Sequence, residues 1–161
     1  MLTQDGDEMS LTTDAESVCA DLVRLGAVPT SGHRSVAGQA RAMAVNVVQR
    51  RNFIGKTYRH GQALQALVDA HPEWVTVERI GEELFQAMTL NPELARAISH
   101  HLLLPCPCVD LQPSSVNAQV REAIESYQRE GVIVVVLWEE GGLPKCHLEC
   151  ATLSNIKVVE V

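Results

Sequence analysis

The chain has 161 residues, 46% hydrophobic and only 4% aromatic, with 13 basic and 20 acidic side chains and a formal net charge of −7. A chain of this size buries roughly 70% of the surface it exposes when unfolded, so its stability requires neither a disulfide nor a metal. The negative balance excludes general adhesion to nucleic acid or an anionic membrane, which depends on positive charge, but it leaves room for a local basic face.

The opening residues MLTQDGDEMS are acidic and lack the basic and apolar regions of a signal peptide. The longest unbroken apolar run, Val132 to Trp138, is too short to span a bilayer. Five cysteines, an odd number, then fit free thiols in a reducing cytoplasm.

Residues 1–12 have no periodicity and read as a mobile acidic tail. Thr13 and Glu16 match a capping box, followed by Val18, Cys19, Leu22 and Val23 at helical spacing and a stop at Gly26. Cys19 falls on the apolar side, which makes it a core thiol. Pro29 to His33 reads as a loop. The next helix should run from about Arg34 to Arg51, with Val36, Ala40, Met43 and Val47 on one face. Asn52 to Gly61 reads as a polar, basic connection. A short helix over Gln62 to Ala70 ends at His71-Pro72. Thr76 caps another, with Val77, Ile80, Leu84 and Met88 inward. Asn91-Pro92-Glu93 is a strong start signal for a helix reaching about Leu103.

Pro105 and Pro107 then forbid helix. A short strand is expected at 108–111. Pro113-Ser114-Ser115 introduces an amphipathic helix with Val120, Ala123, Ile124 and Tyr127 on one side, ending at Gly131. Val132 to Trp138 shows no alternation and reads as a strand buried on both faces. A hairpin turn at Glu139 to Gly142 leads into Lys145 to Leu153, and Ile156 to Val161 would complete a meander. The expected fold is α+β: about five helices, then a helix and a small, mainly antiparallel sheet of three to four strands. It forms a single domain over 13–161, with a helical part to 104 and a helix-plus-sheet part from 105.

No catalytic constellation has the required spacing, and no cofactor is implied. Gly55-Lys56-Thr57 has the ending of a P-loop, but Arg50 stands where the earlier glycine should be. The helix pair in residues 62–90 could suggest a DNA-reading motif, but Glu78, Glu82 and Glu83 on its second helix would be repelled by phosphate. Cys106, Cys108, Cys146 and Cys150 are the candidate metal ligands, four thiolates being a structural zinc set. Their spacing argues for core cysteines instead. Cys146, Leu148 and Cys150 share one face of a strand, with Lys145, His147 and Glu149 on the other. A cysteine enzyme would need Cys106 or Cys108 beside His100 or His101, and no third group is evident to orient the base.

The charge distribution is the strongest signal. Leu22 to Val68 holds seven basic residues and no acidic one, so the remainder sums to −14. Arg50, Arg51, Lys56 and Arg59 lie close to Phe53 and Tyr58, a mixture suited to an interface hot spot. The leading expectation is a small non-catalytic binding or regulatory protein. These six residues would dock an acidic protein segment, and opposite charges also allow pairing between copies as a homodimer. Nucleic acid is the weaker reading of the same residues.

Overall fold

The computed structural model describes residues 9–152. It is an α+β fold of seven helices and one four-stranded antiparallel sheet. The described elements are α1 (Thr13–Arg24), β1 (Pro29–Ser31), α2 (Val36–Gln49), α3 (Phe53–Thr57), α4 (Gln62–Asp69), α5 (Val77–Leu90), α6 (Pro92–Ile98), β2 (Cys108–Leu111), α7 (Ala118–Arg129), β3 (Ile133–Glu140) and β4 (Leu143–Cys150). None of the described helices is long and apolar enough to cross a membrane.

The chain divides into two compact units, one formed by Met1–His33 with Leu103–Val161 and the other by Arg34–Leu102. This division does not follow the helical part and sheet part read from the sequence. In the first unit α1 joins the sheet, because its buried stripe of Ala15, Val18, Cys19 and Leu22 belongs to the same core as Val109, Leu111, Cys146 and Leu148 of β2 and β4. Val120 and Ile124 of α7 complete that core.

Sheet order is β1-β2-β4-β3. Residues 108–111 do form a strand, and it lies inside the sheet between β1 and β4. Pro29 to Ser31, read from the sequence as loop, is the three-residue strand β1, too short to show a period. The apolar run after Gly131 is not buried on both faces. It forms an edge strand, with Val134 44% and Leu137 42% exposed. The two-residue turn Gly141-Gly142 joins it to β4. Both glycines have positive φ, 61° and 81°, as the right-handed twist of a hairpin requires.

Thr12, one residue before the expected capping box, caps α1 by accepting the Ala15 amide at 3.3 Å. Residues 9–12, expected to belong to a mobile tail, are held in the first unit. Met9 is buried, Cys106 N–H donates to the Ser10 carbonyl, and Thr12 N–H donates to the Cys106 carbonyl, each at 2.9 Å. Residues 1–8 and the final strand expected at 156–161 lie outside the described residues.

The second unit is helical. Its core includes Met43, Val47, Ile54, Leu64, Ile80, Leu84 and Met88, with α2 packed on α5. Thr76 and Asn91 cap α5 and α6, accepting the Arg79 and Leu94 amides. The connection expected at 52–61 instead contains α3, a single short helix whose Phe53 and Ile54 are buried.

Ile124→Ala, at a fully buried site on α7, should lower unfolding free energy by about 2–5 kcal/mol, whereas Glu122→Ala on the exposed side should stay within about 0.5 kcal/mol. Urea denaturation followed by circular dichroism checks both.

Candidate functional site

Two groups of side chains stand out, one in each unit. In the helical unit, the six residues expected to dock a partner separate into two kinds. Arg51 is structural. Its guanidinium donates to the Val68 and His71 carbonyls at 2.6 Å each, and also to the Trp74 carbonyl. These carbonyls end α4 and carry the chain toward α5; Val68 and His71 also accept the His71 and Trp74 amides, and the one cation adds a charged donor shared by all three. Gln65 returns the support, its Nε2 donating to the Arg51 carbonyl at 3.0 Å.

Phe53 is buried in the core, with Tyr58 edge-on to it at a centroid distance of 6.1 Å. The Tyr58 hydroxyl accepts from Gln39 Nε2 at 3.2 Å, and Gln39 Oε1 accepts from Arg34 Nη1 at 3.0 Å. Gln39 is completely buried, so this chain of bonds keeps a polar core residue satisfied. Both aromatic rings therefore serve the fold. Arg50, Lys56 and Arg59 are the remaining three, and all are exposed. Lys56 and Arg59 form no ion pair among the described residues.

In the sheet unit, polar groups gather around Asp110 on β2, only 4% exposed. Ser31 Oγ donates to Oδ2 at 2.8 Å from β1. From β4, Lys145 Nζ lies 3.2 Å from the same oxygen, and His147 Nδ1 bonds Oδ1 at 2.8 Å. Lys145 also reaches Glu140 Oε2 at 3.3 Å. Burial works to lower the Lys145 pKa, but attraction to Asp110 and Glu140 outweighs it and holds the ammonium above its ordinary value. Sequence reasoning placed Lys145 and His147 on the polar face of their strand. It missed Asp110 because the partners are 37 residues from His147 and 79 from Ser31.

The four candidate metal ligands do not converge. Register pairs Cys108 with Glu149, so its thiol lies across the sheet from Cys146 and Cys150, which belong to the core with Leu148. All five cysteines are buried thiols. Burial pushes Cys19 up to about 11 and Cys146 and Cys150 up to about 12, far from the thiolate a nucleophile needs. His100 and His101 sit on a 3-10 turn that ends the helical unit, with His101 buried.

Comparison with family models, with curated proteins and with solved structures returns no match.

Arg51→Ala should cost about 2–3 kcal/mol by removing the charged donor shared by three carbonyls, while Lys56→Ala, at an exposed side chain, should stay within about 0.5 kcal/mol. Urea midpoints of the two variants test the division between structural and exposed cations. Asp110→Ala should destabilise by about 3 kcal/mol, since it leaves Lys145, His147 and Ser31 without their shared acceptor. Thermal unfolding measures that loss.

Proposed function

We propose that this protein is a non-catalytic docking module that takes an acidic segment of a partner protein on Arg50, Lys56 and Arg59. One observation carries the reading. Lys56 and Arg59 are exposed and have no carboxylate partner among the described residues, while Arg51, Phe53 and Tyr58 hold the surrounding backbone in place. Cations on a rigid support lose less conformational freedom on binding than cations on a free loop. Their charge also steers a negatively charged partner toward the site.

The same geometry favours a protein segment over nucleic acid. Single-stranded nucleic acid binds basic grooves with help from rings on which bases stack. Here Phe53 is buried and Tyr58 is bonded to Gln39, so the local aromatics are already committed within the unit. The high pKa of the core thiols argues against nucleophilic catalysis by Cys19, Cys146 or Cys150.

Anisotropy titration with a fluorescent oligoglutamate peptide tests the proposal. Binding should be measurable at low salt and weaken as salt rises. The triple variant Arg50→Ala, Lys56→Ala, Arg59→Ala should bind roughly tenfold more weakly. A control with the same change in charge, Arg24→Ala, Arg96→Ala, Arg129→Ala, should bind much as the wild type does. Equal weakening by the two triple variants would sink the site. Tighter binding of a single-stranded oligonucleotide of equal charge would transfer the surface to nucleic acid.

A further inference from the structure

Within the helical unit, α2 and α5 run antiparallel. Ala37 and Phe85 line one hollow between them, and Val48 and Val75 line another, so numbers rise along one helix as they fall along the other. Gly81 lies against Ala44 and the Arg41 backbone, and these small contacts leave a shallow furrow open to solvent. Its volume is about 240 Å³, below the ~300–1,000 Å³ of ordinary small-molecule pockets, which favours a macromolecular face over a cofactor site.

Arg41 stands on the α2 wall of the furrow, and Glu78, Glu82 and Phe85 stand on the α5 wall. All four are exposed, Phe85 by 40%. Along α2 the helical spacing continues the wall from Arg41 to Val45 and Val48, which are also exposed. Arg41, Glu78 and Glu82 form no hydrogen bond or ion pair among the described residues. The furrow thus carries opposite charges on opposite walls, with apolar surface beside them and no engagement between the two signs.

We propose that this furrow is the contact surface for a second copy of the chain, with α2 and α5 of each copy forming a four-helix interface. A two-fold axis along the furrow carries each wall onto the opposite one, so α2 of one copy lies antiparallel over α5 of the other. Arg41 of each copy then faces Glu82 of the other, and symmetry makes the pair twice. Glu78, in the first turn of α5, is already offset by the positive end of its own helix. Phe85, Val45 and Val48 lose exposed apolar surface on contact. A foreign helix would need both charges at this spacing, whereas a second copy has them by symmetry. Each helix has 14 residues, hence is ~21 Å long, and two side by side present about 400 Å² in outline. That is less than the ~800 Å² per partner of a standard stable complex, so the pair should dissociate on dilution.

Sedimentation velocity of the full-length protein over roughly 5–500 µM tests this. The wild type should shift from monomer to dimer across the range. Arg41→Glu and Glu82→Arg should each weaken self-association at least about tenfold, because like charges then oppose across the axis. An equimolar mixture of the two variants should associate again, since each reversed charge meets an opposite one, a recovery that misfolding cannot produce. Arg96→Glu, outside the furrow, should leave the dimer intact. A wild type that stays monomeric throughout overturns the proposal. If that monomer binds a lysine-rich amphipathic peptide that Glu82→Arg rejects, the furrow belongs to a foreign helix instead. Unaltered dimerisation in Arg41→Glu, or a mixture that stays monomeric, overturns it as well. Arg50, Lys56 and Arg59 do not line the furrow, so peptide binding there holds or fails independently.

Discussion

Asp110 places a carboxylate on the second strand of a four-stranded sheet, nearly out of water. An ion in that position is tolerable only if donors surround it. Ser31 supplies one from β1, and Lys145 and His147 supply the others from β4. The three donors come from both neighbouring strands, so satisfying one side chain fixes two strand pairings together. A slip of one residue in β4 would turn Lys145 and His147 to the far face and bring Cys146 against the carboxylate. The charge thus contributes to register as well as being accommodated by it. The core on the opposite face, with Leu148 and Cys146 against α1 and α7, requires the same register on hydrophobic grounds. Two independent demands select one alignment, the agreement between levels expected of a sequence that specifies a single fold.

Arg51 does in the helical unit what Asp110 does in the sheet. The turn after α4 gathers three carbonyls in one place, and a planar guanidinium can serve several at once where an ammonium would serve them less well. This divides the basic stretch by role. A run of positive charge in a sequence invites a single electrostatic reading, yet Arg34 and Arg51 are spent on internal hydrogen bonds. Lys56 and Arg59 remain exposed without a carboxylate partner among the described residues.

The helices were legible because their signals are local. Asn91 and Thr76 cap where the sequence places them, and Ile80, Leu84 and Met88 repeat at the helical period. The errors arise where the decisive partner is remote or the element is short. Val132 to Trp138 looked doubly buried because apolar runs are common to central strands and to edges, and nothing local says which neighbour is missing. β1 has three residues and acquires its identity only by pairing with β2, some eighty residues later. Asp110 could not be singled out, because a lone aspartate between Val109 and Leu111 looks like the polar member of an alternating strand. Its meaning lies in residues that the register brings to it. Between Arg50 and Arg59, the sequence could not distinguish an arginine facing solvent from one bound to carbonyls.

The same alternation that hid these roles also accounts for the contrast among the cysteines. Cys146 and Cys150 differ from Cys108 less by sequence context than by which side of one sheet they occupy. On the core side burial is the largest influence and raises the pKa of Cys146 and Cys150 to about 12, and the lesser opposing pull of Arg121 and Lys145 on Cys146 does not offset it. On the other side the neighbours of Cys108 are a second thiol and a histidine already oriented by a carboxylate. There the hydrogen bond with Cys106, and then burial, push the Cys108 thiol up, and Glu149 and Asp110 oppose a negative charge in the same sense. Strand pairing thus decides which thiols meet the core and which meet the polar face of the sheet.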